Sequence, residues 1–548
     1  MTRRMTGGEA IVSGLIANGV DTVFGLPGAQ MYPLFDALTQ AGDRIRTVGA
    51  RHEQACGYMA FGYGRSTGKP GVYSVVPGPG VLNTTAALAT AWGCCTPVVC
   101  LTGQIPSAFI GKRRGHLHEI ADQLGTLRSV VKWAARIERA ADAPDMVAEA
   151  FRQAQSGRPG PVALEMAWDV MAGAEEVPAA RPAVIDANPP PAADEIARAA
   201  ALIRAARFPV IMTGSGAQHA AAEVARLAQA IGAPVAAFRG GRGVVDETGE
   251  HGISSYAAFK LYPECDVLIG IGTRLEMPTM RWANMMQVID RPAPPPHIIR
   301  IDIDPDEMAR LVPHAGIVAD AADGAAALVA ALAGHRAADN RERIARARAA
   351  AATETAVVQP QMDYLAVIRD VLPADGLLVE ELCQAGFTSY FGYPVRHPRS
   401  YVSTGFQGTL GFGFQTALGV KVAHPDKPVV SITGDGGFLF GVQELATAVQ
   451  YGIGLVTVLF NNEAYGNVRR DQEQRFGNRL IGADLVNPDF LALARAFRLD
   501  GYRVHSPAEL RPVLQAAIAA DRPSLIEVVV PRGSEVSPWP FIHPVRAY

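Results

Sequence analysis

The apolar positions of this chain fall into short runs, each ended by glycines or a polar turn, and the most regular instance spans residues 427–466. The run 429–432 stops at Gly434-Asp435-Gly436, and the run 455–460 stops at Asn461-Asn462. Between them Val442, Leu445, Ala446 and Val449 recur at i, i+3, i+4 and i+7, which predicts one helix with a single apolar stripe. Strand, helix, strand in this order make a right-handed crossover between parallel strands that are usually close neighbours. Asp435 and Asn462 are then side by side at the carboxyl edge of a sheet, where α/β folds bind ligands.

The same alternation runs through the rest of the chain. GVDTVFGLPG, IRTVGA, PGVYSVVPGPG, PVVCLTGQIP and GPVALEMAWD predict a first α/β domain over 1–175, and an Ala/Pro-rich stretch at 175–191 reads as a linker. PVIMTGSGA, APVAAFRG, CDVLIGIGTRLE and HIIRIDID predict a central domain over 192–335. An Ala/Arg-rich stretch at 335–355 reads as a solvated connecting helix, and a third domain over 360–548 holds the opening crossover. The expected fold class is α/β, with three doubly wound parallel-sheet domains, and 548 residues suit about three domains of ordinary size.

Composition narrows the function. Gly (55) and Pro (39) exceed the usual share, as expected of many short crossovers. The net charge of −3 leaves no electrostatic footprint for nucleic acid. The longest apolar tract, 86–101, is interrupted by Gly93, Thr96 and Pro97 and is too short for a membrane span. Arg3-Arg4 are followed by Glu9 rather than an apolar export core, and the six cysteines lack metal spacing, so a reduced, cytoplasmic protein is expected.

Asp435 and Asn462 offer hard oxygen donors, the ligand type of Mg²⁺, which completes its shell with water and substrate phosphates. Gly436 and Gly437 let the backbone approach an anion near a helix start, so the predicted ligand is a Mg²⁺-bound diphosphate. Asp302, Asp304 and Asp306 lack the glycine and closing glutamate of a calcium loop and read as strand end and turn.

With these residues in place the sequence resembles the thiamine-diphosphate enzymes, whose Gly-Asp-Gly to Asn-Asn motif it matches. FGLPGAQMYPLFDAL, RHEQACGYMAFGYGRSTGKPGV, PGPGVLN, GTLGFGFQTALG and GDGGFLFGVQELATAVQYGI are most similar to the acetolactate synthase catalytic (large) subunit group. The resemblance implies Mg²⁺ ligation by the Asp435 and Asn462 side chains and the Ala464 carbonyl. It assigns Glu53 to the pyrimidine N1′, the Gly408 carbonyl to the 4′-amino group and Leu410 to support of the bent cofactor. Gln384 matches a diphosphate contact, and Pro27, Asn83, Gly434, Gly436, Gly437, Tyr465, Gly466 and Asn467 complete the expected cofactor set. It also implies a homodimer, or a homotetramer of two, in which Glu53 and Asp435 serve one cofactor across a subunit interface.

The implied reaction is decarboxylation of a 2-oxo acid to an enamine, an acyl-anion equivalent, followed by carboligation on a small-molecule acceptor. A 2-oxo acid decarboxylase or an acyloin lyase of the benzaldehyde lyase kind is the alternative among enzymes; a non-catalytic cofactor-binding protein is the alternative of another class. Departures fall where substrate is chosen: Asn467 and Asp471 stand where acetolactate synthases typically carry methionine and tryptophan, and Leu117-His118-Glu119 where they carry Phe-Gln-Glu. Gln30, His116 and His118, with Gln104, are candidates for a proton-transfer or hydrogen-bonding wall; the histidines also read as ordinary loop residues. Arg113 and Arg114 either receive a carboxylate or are solvated. In the central domain the turns Gly214-Ser215-Gly216 and 270–274 stand where flavin-binding relatives hold FAD, although nothing else in the sequence supports a flavin.

Overall fold

The computed structural model describes residues 2–275 and 297–542; the expected central domain's 276–296 and the third domain's 543–548 lie outside the described residues. Three six-stranded sheets follow one another along the chain, each wholly parallel. Parallel strands bury both faces, which is why their sequences read as continuous apolar runs.

In the first sheet the order is Arg46–Gly49, Thr22–Gly25, Gly71–Val75, Val98–Gln104, Val162–Ala167, Trp133–Ile137. In the central sheet it is Gly252–Ile253, Val235–Ala237, Pro209–Thr213, Val267–Ile271, His297–Asp302, Ala315–Val318. In the third it is Tyr401–Val402, Leu377–Val379, Val429–Gly434, Val456–Asn461, Ser524–Val529, Asp500–Val504. The third sheet reverses its winding between Leu377–Val379 and Val429–Gly434, so the turns that follow these strands flank a crevice. As expected, Val429–Gly434 and Val456–Asn461 are parallel neighbours, with Gly434 opposite Phe460.

The connection between those two strands differs from the single helix expected. It is a helical turn Asp435–Phe438, a 3₁₀ turn Val442–Glu444 and a helix Leu445–Gln450. The buried side carries Glu444, Leu445, Thr447 and Ala448, while Val442, Ala446 and Val449 are half-buried. Glu444 turns inward because its carboxylate accepts the Arg51 and His52 backbone N–H groups (3.0 Å each) and the Thr447 hydroxyl (2.6 Å). A periodicity argument does not foresee a charged residue as the anchor of a helix.

Two other segments depart from expectation. The stretch expected as a linker begins as a strand, Ala174–Pro178, paired antiparallel with Thr2–Thr6; only 179–192 is irregular. The Ala/Arg-rich stretch forms the helix Arg341–Thr355, which is not wholly solvated: Ile344, Ala347 and Ala351 are buried in a core with Tyr256 and Leu261. Alanine spacing hid that stripe because alanine reads as helix former and core residue alike.

The first and third domains meet along the helices Glu53–Thr67 and Phe412–Ala423. Phe412 packs edge-on against Tyr58 and Phe61, with ring centroids 5.7 and 5.5 Å apart. The backbones come close enough that a Cβ on Gly62 would lie 2.2 Å from the Thr416 carbonyl, and one on Gly419 would lie 2.0 Å from the Met59 carbonyl. The activating-acid candidate Glu53 is therefore seated on a helix that the third domain holds from behind.

Strand Leu377–Val379 runs into two fully buried acids, Glu380 and Glu381. The Tyr390 hydroxyl donates to Glu380 Oε1 at 3.3 Å, and Oε2 has no hydrogen-bond partner among the described residues. Burial pushes this carboxyl from 4.5 up to about 7. The folded protein thus binds a proton here that the unfolded chain has released, so this group's contribution to stability falls as pH rises from about 4.5 to 7. Glu380→Gln is expected to remove that slope, stabilising the protein by roughly 2–3 kcal/mol at pH 8 relative to its effect at pH 4.5. Melting curves of both proteins across this range check it; a Tm difference that does not grow with pH refutes the assignment.

Candidate active site

Strand Arg46–Gly49 ends in a turn, and His52, in extended conformation, caps the helix that Glu53 opens; its ring Nδ1 accepts the Gln54 N–H at 3.2 Å. The Asn83 amide, on the helix Pro79–Gly93, donates to Glu53 Oε2 at 3.0 Å. Two of the expected cofactor residues are thus brought into direct contact. Glu444 holds the backbone at Arg51 and His52, so the position of Glu53 is set by a buried acid of the third domain.

Pro27 is exposed in the turn after Thr22–Gly25. Gln30, in the same turn, is buried and left-handed (φ 68°); His118, half-buried, is left-handed too (φ 69°). Gln30 donates to the Leu117 carbonyl (3.0 Å) and its Oε1 faces His118 Nδ1 at 2.8 Å. Non-glycine residues in this region are strained and cluster at functional sites. The rest of the expected wall is elsewhere: the His116 ring packs against Phe109 at a tilt of 38° (centroids 4.3 Å), and Gln104 is buried against Glu165. Arg113 and Arg114 are exposed.

In the third domain a cavity of about 230 Å³ opens at the sheet's switch point. Gln384, Leu410, Gly434, Asp435, Gly436, Gly437, Asn462, Ala464, Tyr465, Gly466 and Asn467, all singled out from sequence, line it, together with Cys383 and Glu535. Gly408 lies in the loop leading to Leu410, left-handed at φ 58°. A Cβ on Gly436 would lie 2.4 Å from the Tyr465 ring, so the turn's backbone is open to a ligand only as glycine. Every lining residue among the described residues comes from the third domain; Glu53 is not among them. Asp471, by contrast, faces Arg475 at 3.8 Å and does not line the cavity.

Asp435 is 2 % exposed, and burial raises its carboxyl against the pull of Asn487. The Asn487 amide donates to Asp435 Oδ2 (2.7 Å) and to Asn461 Oδ1 (2.9 Å). Asn462 Oδ1 accepts the Ala464 N–H at 3.1 Å, while its Nδ2 donates to Glu535 Oε2 at 2.6 Å. Burial pushes Glu535 up to about 7, opposed by Asn462 and Arg470 and reinforced by the charge of Asp435. Buried Asp435, whose charge raises the half-buried Glu535, lies with it beside an amide oxygen and a glycine turn, and a divalent cation would neutralise the negative charge the two acids carry. The donor set fits Mg²⁺ and a diphosphate.

Asn487, Glu535, Glu444 and Glu381 did not stand out in the sequence. Glu381 ties the cavity's two walls, accepting the Gly413 N–H (3.2 Å), the Thr433 hydroxyl (2.7 Å) and the Gly411 N–H. Each sits in an ordinary-looking turn, and no local pattern separates it from a solvated acid or amide.

Residues 5–126 match the family model described as thiamine pyrophosphate enzyme, N-terminal TPP binding domain; 196–328 match its central domain and 383–528 its C-terminal TPP binding domain. The chain belongs to the thiamine pyrophosphate enzymes. It is similar to the probable acetolactate synthase large subunit of Methanocaldococcus jannaschii (34% identical over 96% of this chain and 92% of the relative) and to the acetolactate synthase large subunit of Parasynechococcus marenigrum (33%, over 99% and 90%). It is also similar to the probable 2-ketoarginine decarboxylase of Pseudomonas aeruginosa (32%, over 96% and 94%). As a thiamine pyrophosphate enzyme of the acetolactate synthase type it acts on small molecules, and no helix among the described residues is long and apolar enough to cross a membrane.

The turns set apart for FAD in the central domain do face each other: Gly214 N–H bonds to the Ile271 carbonyl (3.0 Å) and Gly216 N–H to that of Gly272 (3.2 Å). They line a second cavity, about 490 Å³, to which all three domains contribute, with Arg65 and Arg158 of the first, Arg239 and Arg274 of the central and Arg399 of the third domain around it.

Proposed function

We propose that this enzyme uses thiamine diphosphate and Mg²⁺ to make or break a carbon–carbon bond next to the carbonyl of a 2-oxo acid, decarboxylating it and joining the remaining acyl unit to a second carbonyl. The observation that carries the reading is the convergence of buried Asp435, the Asn462 amide and the open Gly436 backbone in one cavity. Asp435, Asn462 and the Ala464 carbonyl would hold the metal, and Gln384 with the amides of Gly436 and Gly437 the diphosphate. When bound, thiamine diphosphate supplies a nucleophilic carbon and an electron sink.

The chain's own groups do the rest. Glu53 holds a proton at its carboxyl for the pyrimidine N1′, with Asn83 fixing the other face of that carboxyl. Leu410, on the cavity wall, would pack against the bound cofactor. Gln30 and His118, locked together, orient the substrate oxygens. Among the described residues none of the first domain lines the third-domain cavity, which supports a site completed by a second copy of the chain in a homodimer or a pair of dimers. The free cysteines among the described residues suit a reducing cytoplasm.

Asn467 favours keeping a second reading in view. Its side chain lines the cavity and accepts from Trp539 Nε1, where acetolactate synthases by resemblance carry methionine. A polar wall there suits a more polar 2-oxo acid, as does the similarity to a probable 2-ketoarginine decarboxylase. Incubation with pyruvate, separating acetolactate from acetaldehyde and acetoin, tests the proposal; acetolactate is the expected main product. Aldehyde without acetolactate would favour the simple decarboxylase, and no turnover across a panel of 2-oxo acids and acyloins would overturn both.

A further inference from the structure

We infer that Glu535 is a positioning residue for the metal site: its carboxylate fixes the Asn462 amide with Oδ1, not Nδ2, presented to the cation. The inference rests on the Mg²⁺ and thiamine-diphosphate reading above.

An asparagine amide fills nearly the same volume in its two orientations, but only its oxygen can ligate a hard cation. Glu535 Oε2 lies 2.6 Å from Nδ2. An ionised carboxylate is an acceptor only, so with Glu535 ionised beside a cation the flipped amide would set two acceptors against each other at that distance. The flip would also turn the NH₂ group toward the Ala464 N–H, which now donates to Oδ1. Two contacts therefore select one orientation, and they leave the second lone pair of Oδ1 for a metal.

Glu535 itself is anchored. Val536 N–H bonds to the Gln359 carbonyl (3.0 Å), and the Val536 carbonyl accepts Gln361 Nε2 (2.8 Å). Arg470 donates to the Ser537 hydroxyl (3.1 Å) and to Gln384 Oε1 (3.0 Å), so one guanidinium ties the tail after strand Ser524–Val529 to the opposite side of the cavity. The carboxylate lines that cavity with Asp435, Asn462 and Ala464. The supporting residue of one metal ligand thus comes from the tail, far along the chain from the motif that supplies the ligand.

The test uses Mn²⁺ as probe, titrated into full-length protein with saturating thiamine diphosphate and followed by the loss of free Mn²⁺ signal in electron paramagnetic resonance. Glu535→Ala is expected to raise the Mn²⁺ Kd roughly 10- to 100-fold, the usual cost of losing a group that orients a ligand. Glu535→Gln keeps an acceptor for Nδ2 and is expected to cost a few-fold at most. Asn462→Asp places two carboxylates in contact and weakens Mn²⁺; adding Glu535→Gln restores one amide and one carboxylate, and recovers most of the loss. This exchanged pair conserves shape, so it tests the proposal even if the alanine variant fails to fold. Wild-type Mn²⁺ affinity in Glu535→Ala, or an exchanged pair no better than Asn462→Asp, would overturn the inference alone. Wild-type protein that binds no Mn²⁺ with thiamine diphosphate present would overturn the functional reading, and this inference with it.

Discussion

Glu53→Gln is expected to lower kcat by about 10²- to 10⁴-fold, the range for removing a positioned proton-transfer group. The substitution keeps the side chain's volume and an oxygen able to accept from Asn83, so the helix start and the capping His52 are expected to remain as they are. Retention of thiamine diphosphate should change little, because the metal and diphosphate contacts belong to the third domain and Glu53 to the first. The split between turnover and binding is the informative part. Steady-state kinetics with equilibrium dialysis of the cofactor measures both, and wild-type turnover in the variant would remove Glu53 from the mechanism.

Removing Asp435 should have the opposite profile. Asp435→Ala is expected to weaken metal-dependent retention of thiamine diphosphate by at least ~100-fold, since losing a ligand outright costs no less than losing a group that merely orients one. The apoprotein should melt no lower than wild type, because burial already disfavours this carboxylate in the fold and its loss relieves that cost. Wild type, at cofactor concentrations near 100 times Kd, gains about 2.7 kcal/mol from binding. Thermal melts with and without Mg²⁺ and thiamine diphosphate should show that gain in wild type, lose it on chelation, and lack it in the variant. An equal ligand-induced shift in both proteins would mean that the metal is held elsewhere.

The two substitutions act on residues of different domains, Glu53 in the first and Asp435 in the third. In the proposed dimer, mixing Glu53→Gln and Asp435→Ala proteins would place one intact pair in each mixed dimer, which is why their separate profiles matter to the proposed assembly.

Much of this was legible in the sequence, and the reason is local. Continuous apolar runs ended by glycine specify buried parallel strands, and the turn after such a strand must lie at the sheet's carboxyl edge. Asp435, Gly436 and Asn462 could be placed together on that ground alone, as neighbours across one crossover. What the pattern did not reach were groups whose partners lie far along the chain. Glu444 is buried because it accepts backbone donors of residues 51 and 52; Glu535 is half-buried against Asn462, and Asn487 against Asp435. A buried acid or amide is tolerated only where its hydrogen bonds are satisfied. Sequence alone therefore determined which residues could form the site; the packing of distant segments decided which acids and amides were drawn in to hold it.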